Sequence, residues 1–181
     1  MDWDGSLRMI TTQDLGMTTS LAPMYTNEVT GDLLQSLDTP TFTSEQMAEF
    51  HEDAVAVIRR NEAYCLAHPP IGIYRLATEG SQTRNGGIVQ KTQSTITCTL
   101  ENGEQVRVAH KGDCVLYPDG STAHIITGAG HSNSHVALVG SRLCNGDEII
   151  NTPQPHGLFV ARQGVPLAGD FLPAAGSANA E

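Results

Sequence analysis

The phrase Ala-x-x-Gly-Ser/Asp occurs three times in this chain, each time entered from a strand-like run. The copies are Tyr74-Arg-Leu-Ala77-Thr-Glu-Gly80-Ser81, Val106-Arg-Val-Ala109-His-Lys-Gly112-Asp113 and His135-Val-Ala137-Leu-Val-Gly140-Ser141. The register continues past the phrase. Asn85-Gly86-Gly87-Ile88-Val89 stands as far after Ala77 as Asn145-Gly146-Asp147-Glu148-Ile149-Ile150 stands after Ala137, and the middle copy reaches Asp119-Gly120 two residues later. The alanines lie 32 and then 28 residues apart, a period that marks repeated units burying their apolar faces against one another. Three copies predict a mainly β, pseudo-threefold object, with Gly80, Gly112 and Gly140 at one set of equivalent turns and Gly86, Gly120 and Gly146 at a second. A chain with three similar sides can sit on the axis of a homotrimer without breaking its contacts.

The 181 residues allow one domain, or a small domain with an appendage. Only 5 % of them are aromatic and 18 are glycine, which favours short strands and tight turns over a thick helical core. Residues 1–70 carry eleven acids against three bases, whereas residues 71–152 carry seven against six. The acidic part is therefore an extension on a nearly neutral β unit. A net charge of −10, with no basic cluster interleaved with aromatics, argues against nucleic-acid binding. The start, Met1-Asp2-Trp3-Asp4, lacks the basic and apolar regions of a secretory signal, so synthesis in the cytoplasm is expected. Cys65, Cys98, Cys114 and Cys144 show no paired spacing, and reduced thiols are expected.

Residues 1–42 show no sustained period and read as an extended arm. Thr43-Ser-Glu-Gln46 fits a capping box. Met47, Phe50, Ala54, Val57 and Ile58 follow at helical spacing, predicting one amphipathic helix over 43–66 whose stripe docks on the β unit or on a partner. From Ile71 the period changes to 2. Ser94 to Leu100 alternates, Glu101-Asn102-Gly103-Glu104 supplies a turn and Gln105 to Ala109 returns, predicting a hairpin with a type I′ turn. Gly157 to Gly164 reads as one more strand, within a C-terminal segment 155–181 that ends in an Ala-rich tail.

Residues 71–154 resemble the PAAR-repeat family, whose copies read strand, A-R-x-G-D, turn, then H-G-G-x-I/V. The matching strings are Leu76 to Ser81 with Asn85 to Val89, Val108 to Asp113, and Val136 to Ser141 with Asn145 to Ile150. The resemblance covers under half of the chain and rests on the triple register. It implies a sharp β cone seated on the blunt end of a trimeric β-helical spike, one copy per trimer, in a contractile injection machine such as type VI secretion or a phage tail. Such a tip is carried out of the cell or belongs to a virion, and meets a target membrane only transiently.

Many members of the family hold zinc near the apex. At the corresponding positions this chain has Asn85 before Gly86-Gly87, Tyr117-Pro118-Asp119-Gly120, and Cys144, which alone keeps a ligand type. His124, His131, His135 and Cys114 are possible substitutes in the same region. The cofactor expectation is accordingly none or zinc, since a structural zinc takes four Cys or His donors. No nucleophile elbow, HExxH or phosphate loop is present, so a non-enzymatic tip is expected. The alternatives are a small metal-dependent effector delivered by the same route, and an adaptor that recruits an effector to the spike.

Overall fold

The computed structural model describes residues 23–173; the first part of the arm and most of the C-terminal tail lie outside the described residues. The fold is mainly β, with short strands joined by tight turns. Strand β1 (Pro70–Arg75) pairs antiparallel with β9 (Leu158–Arg162). A five-stranded sheet runs β7 (Thr122–His124), β6 (Cys114–Leu116), β3 (Ile88–Val89), β2 (Gln82–Thr83), β8 (Ile149–Asn151). The hairpin of β4 (Thr97–Thr99) and β5 (Gln105–Arg107) stands apart. No helix among the described residues is long and apolar enough to cross a membrane.

The three phrases meet backbone to backbone. Ala77 donates its N–H to the carbonyl of Ala137 (2.9 Å), Ala137 to Ala109 (2.7 Å), and Ala109 to Ala77 (2.9 Å), closing a ring of three hydrogen bonds. All three alanines are fully buried; a larger side chain would push the strands apart. One residue further on, each phrase turns in the same way. Ser81, Asp113 and Ser141 donate their amides to the carbonyls of Thr78, His110 and Leu138 at 2.9–3.1 Å. In return, the amides of Thr78, His110 and Leu138 donate to the side chains of Ser81, Asp113 and Ser141 at 2.7–2.9 Å. The third residue of each turn, Gly80, Gly112 or Gly140, has φ of 84°, 97° or 101°. That is the position where a type II turn demands a positive φ.

A second loop recurs in each copy. Gly86, Gly120 and Gly146 donate to the carbonyls of Thr83, Tyr117 and Leu143, while the amides of those residues donate to the carbonyls of Gly87, Ser121 and Asp147. This is a type I turn closed by a left-handed residue, the three-residue hairpin loop. The β4–β5 hairpin uses it too. Leu100 donates to Glu104 and accepts from Gly103, and Gly103, but not Asn102, has positive φ. The type I′ turn expected there is replaced by the same bulged loop.

Above the alanine ring, Val89, Ile125 and Ile149 fill the core together with Val115, Ala123 and Leu143. Below it, Val108, Val136 and Leu138 form a second cluster. The segment Ala168–Leu172 lies over this cluster, where Phe171 packs edge-on against Tyr74 at 5.0 Å and against Phe159 at 5.9 Å.

The N-terminal segment differs from its sequence reading in two ways. First, its described part is bound along the β unit. Tyr25 exchanges two backbone hydrogen bonds with Thr152 (2.8 and 2.9 Å), and the Asn27 side chain donates to the Val139 carbonyl while accepting from the Arg75 amide (both 2.8 Å). Arg75 is buried, lies over the Tyr25 ring, and donates to the carbonyls of Thr26 and Pro155. Helix α1 (Gly31–Ser36) follows, capped by Thr30.

Second, the helix expected over 43–66 is broken. The Thr43–Gln46 capping box is present, but it opens only a short helix, α2 (Ser44–Ala48); α3 (Glu52–Ala67) starts afresh from His51, whose Nδ1 accepts from the Asp53 amide. Phe50 folds back to meet Phe42 edge-on at 5.1 Å, so the chain bends there instead of continuing one stripe. Phe50 (37 % exposed) and Val57 (60 %) remain largely open, and none of the three helices buries a residue. Of the stripe, Met47 and Ile58 are half-buried and Ala54 is exposed.

Asp38 joins this segment to β9 through a two-pronged contact with Arg162, at 2.7 and 2.9 Å. The Arg162 hydrogen bond holds the Asp38 carboxyl below its ordinary range, against a smaller opposing effect of burial. A depressed carboxyl stabilises the fold above its unfolded pKa of about 4, and this contribution is lost as pH falls through the lower folded value. The urea midpoint of Asp38→Asn is therefore expected below that of the parent at pH 7, with the gap closing below about pH 4. Midpoints measured at pH 7 and pH 3 check this, and an unchanged gap assigns the loss to something other than the carboxylate.

Candidate functional site

The second set of loops, Thr83–Gly87, Tyr117–Ser121 and Leu143–Asp147, converges on one side chain. Gly87, Ser121 and Asp147 hold equivalent places in the three loops, and each is treated differently. Ser121 is exposed. A Cβ on Gly87 would lie 2.6 Å from Val115 and 2.9 Å from both Thr83 and the Tyr117 ring, so no side chain fits there. Asp147 is 3 % exposed and takes the vacant centre.

Its carboxylate accepts from every loop. The Asn85 amide donates to both oxygens at 3.3 and 3.4 Å, the Tyr117 hydroxyl donates to Oδ2 at 2.7 Å, and the Glu148 amide donates to Oδ1 at 2.8 Å. Asn145 completes the set. Its Oδ1 accepts from the Asp147 amide at 3.1 Å, and its Nδ2 donates to the Tyr117 oxygen at 3.0 Å. Burial pushes the Asp147 carboxyl upward, but hydrogen bonds from Thr83, Tyr117, Glu148 and Asn85 outweigh it and hold it below its ordinary value. Burial, joined by the bond to Asp147, pushes the Tyr117 phenol upward, so it stays a proton donor at neutral pH. The Arg84–Glu148 ion pair, at 3.5 Å, flanks the same loops.

Asn85, Tyr117 and Cys144 correspond to the places where the resemblance puts zinc ligands, and of the three only Cys144 is a donor type that structural zinc takes. The Asn85 backbone N–H donates to Asp147, and its side chain is a carboxamide where the family motif has histidine. The Tyr117 oxygen is engaged by Asp147 and Asn145. Cys144 is exposed, and its Sγ accepts from the His124 amide at 3.3 Å.

The remaining candidates divide into two groups. Cys114 lies opposite His124 in the β6–β7 pair, and His124 exchanges backbone contact with Cys144. His131 and His135 lie ahead of Ala137, with ring centres 5.5 Å apart, next to Asp170, which accepts from the His131 amide at 2.7 Å. Among the described residues no group of three or more His, Cys, Asp or Glu side chains is placed to hold a metal ion.

Asp147 was not singled out from the sequence as a site residue. The signal was nonetheless there, because aligning the copies sets an aspartate against Gly87 and Ser121 in otherwise matching loops.

The β1–β9 ribbon and the β4–β5 hairpin each consist of two strands only. The outer edges of β9 and β4 have no strand neighbour among the described residues, whereas β1 is met at Arg75 by Val139 and Asn27, and β5 at Arg107 by Glu79. Ile71 and Ile96 are exposed beside these strands. Compared with known proteins, the chain matches no family model, no curated protein and no solved structure.

Proposed function

We propose that this protein is a structural tip, a small pseudo-threefold β cone that caps and sharpens a trimeric β-helical spike of a contractile injection machine. The observation that carries the reading is the closed alanine ring. Three copies of one phrase bond head to tail through Ala77, Ala137 and Ala109, as a single chain must if it is to offer three similar sides to a trimer. The converging loops around Asp147 form the narrow end, and the two-stranded ribbons form the wide end. Open strand edges, here those of β9 and β4, invite pairing with another chain, and strand addition from the last rung of a β-helix would satisfy them. The tip needs no catalysis, since the machine supplies the force. It is made in the cytoplasm and leaves the cell with the spike.

Co-expression with a trimeric β-helical spike from the same genome, followed by size exclusion with light scattering, is expected to give three spike chains to one tip. A tip that stays monomeric beside every such spike, or that trimerises itself, overturns the reading. A second reading, an adaptor for a separate effector, is favoured by α3, where Val57 (60 % exposed) and Leu66 (85 %) offer apolar surface. It predicts that deleting residues 1–68 abolishes effector capture and spares spike binding.

A further inference from the structure

We propose that the Asp147 carboxylate does at the loop end what a metal ion would otherwise do, tying three loops to one point, so that this end keeps its shape without any metal. The knot holds whether or not the protein is a spike tip. A metal centre gathers lone pairs from several side chains around a cation. Here the polarity is inverted: one buried anion sits at the centre, and the surrounding groups turn N–H and O–H donors toward it. One donor comes from each loop region, namely the Asn85 amide, the Tyr117 hydroxyl and the Glu148 amide.

The steric arrangement agrees. Gly87 has no room for a side chain because the Tyr117 ring, Thr83 and Val115 fill the place where its Cβ would stand. Tyr117 is thus held between the first loop, which presses on its ring, and the third, whose Asp147 and Asn145 engage its oxygen. Its hydroxyl donates once and accepts once. No buried side-chain nitrogen or oxygen among the described residues lacks a partner, so the knot is complete with the residues that form it. Since both carboxylate oxygens already accept from protein donors, a cation entering the centre would have to displace them.

The test uses the full chain, in thermal unfolding before and after dialysis against EDTA and then with added zinc. The melting temperature is expected to move by less than about 2 °C in either step, whereas Asp147→Asn and Tyr117→Phe should each lower it by roughly 4–10 °C. Because both variants break the same knot, the double variant is expected to lose clearly less than the sum of the two single losses. A melting temperature that falls on chelation and returns with zinc overturns the proposal. So do additive losses. If Asp147→Asn does not fold, Tyr117→Phe carries the test, because it keeps the ring and removes only the oxygen. A Tyr117→Phe variant as stable as the parent also overturns the proposal.

Discussion

Ala109→Leu is expected to destabilise the protein by about 3 kcal/mol or more, at the upper end of what overpacking a well-filled core costs. The site leaves little alternative. Ala109 is fully buried and holds two of the three ring hydrogen bonds, donating to Ala77 and accepting from Ala137. The added atoms can be housed only by lengthening those bonds or by displacing Val115 and Ile125 from the packed layer above. Ala77→Leu and Ala137→Leu should cost similar amounts, because each alanine occupies the same place in the ring. Pairs of these substitutions should cost less than the sum, since the first already opens the ring that the second would open. Urea unfolding followed by far-ultraviolet circular dichroism measures all three. A single alanine that accepts leucine freely while the other two do not would mean that the three phrases are unequal in packing.

Glycine substitutions should separate into two classes of unequal size. At Gly112 the φ of 97° is unfavourable for any side chain, but the space where a Cβ would stand is open. Gly112→Ala should therefore cost only backbone strain, about 1–2 kcal/mol. At Gly128 the φ is not in the left-handed region, yet a Cβ would lie 2.5 Å from the Val136 carbonyl oxygen and 3.2 Å from that of His135. Those neighbours are backbone and cannot rotate away. The Val136 carbonyl also accepts from Ala129 at 2.8 Å, and the Gly128 carbonyl from Leu172 at 2.8 Å. Relief requires the 128–136 excursion and the Ala168–Leu172 segment to move together. Gly128→Ala is thus expected to cost about 3 kcal/mol or more, and to raise proteolytic cleavage after Val165. Equal melting temperatures for the two variants would contradict this division.

The β part was readable because its decisive contacts repeat. An alanine, a turn glycine and a Ser or Asp that closes the turn are local instructions, and three copies in register are hard to mistake. Contacts between residues far apart in sequence were not readable in this way. The break at Glu49–His51 comes from Phe50 meeting Phe42, a contact with no place in a helical period. Docking of the arm depends on Arg75 reaching Thr26 and on Asn27 reaching Val139, partners that no local pattern connects. The Asn102-Gly103 pair suits either of two hairpin loops, and the choice turns on whether Asn102 takes a positive φ. The histidines and cysteines between 110 and 144 cluster in sequence but fall into two separate groups in space, Cys114 with His124 and Cys144, and His131 with His135. The chain crosses the alanine ring at Ala137, which separates His131 and His135 from Cys144.

The alanine ring also limits how such a protein can change its length. A stacked array with open ends can gain or lose a unit at either end, because each unit meets only its neighbours. A ring in which each alanine both donates to one partner and accepts from the other has no end at which to add. Two copies cannot close it, and a fourth would have to break a bond already made. Variation in size is therefore directed into the excursions between alanines. The step from Ala77 to Ala109 spans 32 residues and houses the β4–β5 hairpin, whereas the step from Ala109 to Ala137 spans 28 and houses the His131–Asn133 turn. Inserted segments are best tolerated at the tips of those two excursions, near Asn102 and Ser132, where added chain leaves the copy number untouched.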